Sequence, residues 1–403
     1  MPLRDGARQT TMTTLAMNDV LVAGVGLAPV GEHWDLSLRE LALEAIEAAR
    51  ADAGGLLPQA LFAANMLAPA LSGQTHLGAL LADFAGLRGI EASSFEAAGA
   101  SGGVALRQGY LAVASGLIDV ALIVAVEKAT DRIGSSVDAA MAMSTDADYE
   151  AVQGLTPAAQ AGLLMQRYLH ETGAPADALG GFSVTAHANA VHSPHAFLRR
   201  TLSLEEYRSA PRESDPLNVY DVAPLADGAA ALVLARREAV VASAGRPWIR
   251  VAASSVATAA LALADQPDVL GLDAARLSAE RAYVQAGLGP EQIDVFELHD
   301  PFSIYAALAL EASRFAAQGQ GWRLAHEGEI GLSGRIPITT FGGSKARGEV
   351  GGATGLYQAA EVVLQLQGRA GANQVKEAQV GMAQCIGGAG ATAATHIFAA
   401  VER

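Results

Sequence analysis

Four short stretches of this chain gather residues that can do chemistry, and each stands where a strand-like run gives way to a turn. In Phe296–Tyr305 (FELHDPFSIY), Phe296 and Leu298 alternate as in a strand, and His299 and Asp300 emerge beside Pro301. Such a pair can position a water or an oxyanion, although a single histidine there also serves structurally in many proteins. Thr339–Gln358 (TTFGGSKARGEVGGATGLYQ) sets Gly343, Lys345 and Arg347 ahead of Glu349 in a glycine-rich loop. That loop reads either as the lining of a site or as a connector. Ala383–Ala394 (AQCIGGAGATAA) holds Cys385 just before Gly387 and Gly388. A buried free cysteine is usually an inert small hydrophobe, but a strand end before two glycines points it toward a pocket. In Phe95–Leu106 (FEAAGASGGVAL), Gly102 and Gly103 let the backbone approach a ligand at a helix start.

Regular elements must hold these turns in place. Val20–Leu27 reads as an opening strand and Leu36–Ala51 as a helix with Leu38, Leu41, Ala45 and Ala49 near one face. Phe62–Leu67 reads as a second strand, Val104–Gly116 as a helix, and Asp119–Glu127 as a strand buried on both faces. From about 129 to 218 the chain turns more polar and reads as an inserted, mostly helical lobe. Ala229–Leu234 returns as a core strand, and Ala244–Pro247 (AGRP) punctuates the chain. The pattern then restarts with strands at Ile249–Ala253 and Val295–Leu298, helices at Asp273–Ala286 and Gly355–Gln367, and a closing hairpin of Val380–Cys385 with Ala391–Ala399. DGAAALVLA (Asp227–Ala235) and GATAATHIFA (Gly390–Ala399) end the two halves alike, which points to a duplicated α/β unit. Any alanine-rich α/β protein shows some echoes of this kind. The domain reading is therefore a flexible extension over 1–18, a first half over 19–245 and a second over 246–403.

The bulk properties narrow the function. With 403 residues the chain exceeds what one core usually supports. A net charge of -15 argues against nucleic acid and anionic membranes, but not against a local basic patch for an anionic ligand. One cysteine allows no internal disulfide and suits a reducing cytoplasm. No apolar run approaches the roughly 18 residues of a membrane span, and no cysteine–histidine cluster suggests a metal.

In this order and spacing the four turns resemble the thiolase superfamily, nearest the sterol-carrier-protein and archaeal branch with its HDxF motif. Supporting stretches are Ala114–Lys128, Leu225–Leu234 and Gly342–Gln358, and the resemblance runs from about residue 19 to 400. It implies two α/β halves in a five-layer αβαβα sandwich with an inserted loop domain that helps bind CoA, in a homodimer or homotetramer. In working members a cysteine in the first turn attacks the thioester, a GHP histidine activates it, a second cysteine moves the α-proton, and the HDxF histidine holds an oxyanion-hole water. Mapped onto this chain, the nucleophile position is Gly99 (AGASG) and the GHP histidine is Glu349 in Gly348–Glu349–Val350. His299 and Cys385 keep their types. Glycine cannot form an acyl-enzyme, so thiolysis is expected to be absent.

Two functions then compete. One is carbon–carbon bond making or breaking beside a CoA thioester, with His299, Glu349 and Cys385 as catalytic groups. Steroid side-chain aldolases of the lipid-transfer branch work in this way, beside a small OB-fold, zinc-ribbon subunit. The other is a non-catalytic subunit of an acyltransferase complex, or an acyltransferase of unusual mechanism. In either case the ligand is an acyl-CoA and no covalent cofactor is implied. Arg199, Arg200, Arg208 and Arg212 of the lobe are candidates for the CoA phosphates, and Gly343 and Gly388 for close backbone contacts. Glu349 has a second reading, in which it pairs with Arg347 and only shapes its loop.

Overall fold

The computed structural model describes residues 19–240 and 246–401. The extension read over 1–18, and the first two residues of the punctuation at Ala244–Pro247, lie outside the described residues. The first half runs β1 (Val20–Leu27), α1 (Leu38–Asp52), β2 (Ala60–Ala64), α2 (Leu77–Phe84), β3 (Glu91–Phe95), α3 (Ser101–Ala114) and β4 (Val120–Glu127). The lobe follows with α4 (Ser135–Ala142), α5 (Pro157–Thr172), α6 (Gly180–Ala190), α7 (Leu204–Ser209) and a ribbon of β5 (Arg212–Ser214) and β6 (Leu217–Asn218), before β7 (Gly228–Arg236) closes the half. The second half runs β8 (Trp248–Thr258), α8 (Asp273–Ala286), β9 (Val295–Leu298), α9 (Ser303–Ala312), α10 (Gly321–His326), α11 (Thr354–Leu366), β10 (Val380–Gly387) and β11 (Thr392–Val401).

The strands lie in the order β3-β2-β4-β7-β1-β8-β11-β10-β9. Read outward from the β1–β8 seam, the two halves repeat one pattern. β7 and β11 lie antiparallel beside the first strand of their half, and parallel pairs follow beyond β4 and β10. The counterpart of β3 in the second half shrinks to one parallel bridge between Phe296 and Ile338. The seam itself is narrow, with Leu21 opposite Arg250 and Val22 opposite Ile249.

Three apolar clusters make the layers. α1 and α2 cover the outer face of the first half, where Leu41, Ile46 and Leu81 meet Leu61, Leu122 and Val233. α3 and α11 fill the middle, with Leu106, Val113, Leu356 and Val363 between the inner faces of both halves. α8 and α9 cover the outer face of the second half. β4 is buried at all eight positions, as a strand covered on both faces must be. Its apolar run is therefore continuous rather than alternating. α1 starts on a capping box in which Ser37 and Glu40 satisfy each other's free N–H groups.

Strand β2 differs from its sequence reading. It ends at Ala64, and Met66 and Leu67 lie in a turn whose N–H groups donate to the buried Glu127 carboxylate at 2.9 and 3.1 Å. Among the described residues no helix is long and apolar enough to cross a membrane.

Candidate active site

Duplication places two equivalent turns side by side, the one leading into α3 at Ala98–Ala100 and the one leading into α11 at Gly351–Ala353. The helices approach closely because each has a glycine as its second residue. A Cβ on Gly102 would lie 2.8 Å from the Leu356 nitrogen, and one on Gly355 would lie 2.8 Å from the Gly103 nitrogen. Both helices carry the partial positive charge of their free N–H groups toward the same place.

A pocket opens at these turns. Gly99, His299, Glu349, Ile386 and Gly388 line it from the two halves, and Met141, Ser144, Pro157 and Gln160 line it from the lobe. His299 follows the last residue of β9, where Leu298 pairs in register with Gln384 of β10. Its ring continues that ladder in place of backbone. Nδ1 lies 3.0 Å from the Ile386 carbonyl oxygen and accepts from the Ile386 N–H at 3.2 Å. Nε2 lies 3.1 Å from Glu349 Oε2.

Glu349 is fixed at its backbone, donating to the Pro224 carbonyl at 2.8 Å and accepting from the Ala226 N–H at 2.9 Å. Its other oxygen accepts from the Thr354 hydroxyl at 2.9 Å. Burial pushes the Glu349 carboxyl upward, but the charge and hydrogen bond of His299 outweigh it and hold the group below the usual carboxylate range. The expected partner, Arg347, is engaged elsewhere. Its Nη1 meets Glu361 Oε2 at 2.8 Å, and Glu361 Oε1 meets His195 Nε2 at 2.8 Å. The reading of an Arg347–Glu349 pair is therefore corrected, because the two side chains leave the loop in different directions. Lys345 is also spent inside the protein, donating to the Asp221 and Pro301 carbonyls, and burial lowers it to about 8. Asp300 accepts from the Ser344 N–H at 2.6 Å.

Gly99 lines the pocket, and the space a side chain would need is already taken. A Cβ there would lie 2.7 Å from His299 Cε1 and 2.7 Å from the Ile386 oxygen. Cys385 is not brought to the pocket with His299 and Glu349. Successive residues of a strand face opposite ways, so Ile386 lines the pocket while Cys385 packs behind its wall. Its sulfur lies 3.7 Å from the Ala100 oxygen, and a Cβ on Gly355 would lie 2.6 Å from it. Burial pushes the thiol up to about 12, so it stays protonated at neutral pH.

Gly388 lines the pocket, whereas Gly343 lies beneath it, with a Cβ there 2.7 Å from the Asp300 carboxylate. The four arginines stay on the lobe and none lines the pocket. Arg199 donates to the Ala196 carbonyl, Arg200 to the Tyr220 hydroxyl, and Arg208 and Arg212 pair with Asp177 and Asp215. Met66, Phe302 and Tyr305 were missed as pocket residues. Tyr305 stood within the His299 motif, but its place on a helix was not evident there. Among the described residues no group of three or more histidine, cysteine or acidic side chains could hold a metal.

Two halves of one topology, with a pocket where their equivalent turns meet, define a class, and comparison with known proteins names it. Residues 20–238 match the thiolase N-terminal domain and residues 255–400 the thiolase C-terminal domain-like family. The chain belongs to the thiolase superfamily, whose members act on CoA thioesters. It is 41% identical over 384 residues to an acetyl-CoA acetyltransferase of Methanothermobacter thermautotrophicus, covering 95% of this chain and 100% of that one. It is 28% identical over 359 residues to a steroid side-chain-cleaving aldolase of Thermomonospora curvata, covering 85% and 89%. Among solved structures, the Ltp2-ChsH2(DUF35) aldolase shares the fold with a TM-score of 0.82 at 23% identity, over 97% of this chain and 100% of that one.

Proposed function

We propose that this protein makes or breaks a carbon–carbon bond beside a CoA thioester without a cysteine acyl-enzyme, as an aldolase or retro-aldolase does. The observation that carries the reading is the Glu349–His299 pair in the pocket at Gly99, where a nucleophile has neither a side chain nor room for one. In the cleavage direction the Glu349 carboxylate takes the hydroxyl proton of a β-hydroxyacyl-CoA. The O–H electrons become the second bond of a departing aldehyde or ketone. The electrons of the Cα–Cβ bond pass into the thioester, whose enolate then takes a proton at Cα and leaves as the shorter acyl-CoA. His299 holds the base in its charged form, and the starts of α3 and α11 favour negative charge on the enolate oxygen. The sequence similarity to an aldolase supports this reading. Cys385, protonated and behind the wall, plays no part as a nucleophile. Arg199, Arg200, Arg208 and Arg212 serve here only the phosphate end of CoA. A homo-oligomer with a small OB-fold partner fits the same reading.

One observation favours a non-catalytic acyl-CoA-binding subunit instead, namely that the protein itself occupies both ring nitrogens of His299. The test is to follow β-hydroxyacyl-CoA cleavage, and α-deuterium exchange into bound acyl-CoA, in wild type and Glu349→Gln. Aldehyde release and exchange that vanish in the variant support the proposal. A wild type that shows neither supports the subunit. Acetoacetyl-CoA thiolysis, or an acyl adduct on Cys385, would overturn the mechanism.

A further inference from the structure

Six tyrosines are buried in the described chain, and five of them have a partner for the phenol oxygen. Tyr168 donates to Glu311, Tyr207 to Asp221, Tyr283 to the Ser313 carbonyl and Tyr357 to the Ala28 carbonyl, while Tyr110 accepts from Gln285. Tyr305 is the exception. It is 4% exposed, no group of the described protein bonds its hydroxyl, and it lines the pocket. A buried ring whose unbonded hydroxyl opens onto a cavity presents its donor to whatever fills that cavity. The ring is held firmly, on the first turn of the fully packed α9 and 6.0 Å from the Phe302 ring.

We infer that the Tyr305 hydroxyl donates a hydrogen bond to the oxygen on the β-carbon of the bound acyl group. The choice of oxygen follows from charge. Burial and the nearby Glu150 carboxylate both raise the phenol, so it stays an O–H donor in neutral and basic solution. The same negative surroundings disfavour an enolate oxygen beside it. A neutral hydroxyl, or the carbonyl of a departing aldehyde or ketone, is the acceptor that suits it. Tyr305 thereby lets the pocket recognise β-oxygenated acyl groups and reject plain ones. A site built to bond a substrate oxygen loses that bond, with its own donor left unpaired, when the oxygen is missing.

This inference rests on the pocket holding an acyl-CoA, but it does not need turnover. Calorimetry compares 3-hydroxybutyryl-CoA with butyryl-CoA, in wild type and in Tyr305→Phe. The comparison is repeated in the Glu349→Gln background so that cleavage cannot blur the binding. The wild type should prefer the hydroxyacyl ligand by roughly tenfold. Tyr305→Phe should erase the preference, leaving butyryl-CoA affinity and Tm as they were, because no bond within the protein is lost. A wild type without the preference, a variant that keeps it, or failure of both ligands to bind would overturn the inference. A protein that shows the preference yet never cleaves either ligand would refute the proposed reaction and leave the Tyr305 contact standing.

Discussion

Two buried histidine–glutamate pairs lie on either side of one loop, and their likeness makes the difference between them instructive. His195 and Glu361 meet at 2.8 Å, and His299 and Glu349 at 3.1 Å. The first pair is closed. Arg347 binds the remaining Glu361 oxygen, and the His195 ring lies 5.2 Å from Phe341 and 6.1 Å from Tyr357. Among the described residues no arginine pairs with the second, and both of its members line the pocket. A full charge on the carboxylate and a wall of rings make a structural staple. Neutral hydroxyls in place of an arginine, and an opening on one side, leave a carboxylate that can still accept a proton.

The comparison can be broken at either pair. The largest effect is expected at Glu349→Gln, where the rate of β-hydroxyacyl-CoA cleavage should fall by about 10²- to 10⁴-fold, as for loss of a general base. The melting temperature should change little, since glutamine still accepts from Thr354. An unchanged rate would place the base elsewhere and reduce the second pair to another staple. Next comes Glu361→Gln, which strands Arg347 in the core. It should cost roughly 3–5 kcal/mol in urea denaturation. A cost below about 1 kcal/mol, the range of an exposed ion pair, would mean that the first pair is not the staple described.

Gly99→Ala should be milder, at roughly 1–3 kcal/mol, because its Cβ must displace His299 or the Ile386 carbonyl. The test of cause is whether activity falls further than stability, since moving the His299 ring also unseats Glu349. Gly99→Cys meets the same crowding. Its thiol should alkylate slowly beside the Glu349 charge, and faster once Glu349→His is added. Equal alkylation rates in the single and double variants would show that Glu349 does not act on position 99.

The last test is of pH dependence alone and concerns a third carboxyl near the first pair. Burial, with help from the Glu361 charge, pushes Glu297 up to about 8 from an ordinary value of 4.5. The folded protein therefore holds this proton more tightly than the unfolded chain does. That contribution to stability is fully present in acid and is lost as pH rises through the window up to about 8. Glu297→Gln keeps an acceptor for Thr340 and removes the titration. Its Tm should drop less than that of wild type between pH about 5 and about 8, and parallel curves would show that Glu297 does not titrate there.

Legibility in the sequence followed how local each cause was. β9, α8 and the length of β4 were readable because the residues that define them are neighbours in the chain. The end of β2 was not, since it is set by Glu127, some 60 residues on. α9 escaped because SIYAALALEA is apolar all round and carries no 3.6-residue rhythm, which hid Tyr305 from the list of site residues. The residue types at 99, 299 and 349 were plain from the motifs. What they touch was not. Glu349 meets a histidine 50 positions earlier, Arg347 a glutamate 14 positions later, and Cys385 faces away by the alternation of its own strand.

The way His299 ends the β9–β10 ladder has a further consequence. The N–H and C=O of Ile386 both face Nδ1, at 3.2 and 3.0 Å. A neutral ring accepts from the first, and an imidazolium donates to the second. Nδ1 can therefore be bare or carry a hydrogen without the ring turning. Nε2 keeps its place against Glu349 in both cases, because the strand's own peptide supplies the right partner for Nδ1 in either form.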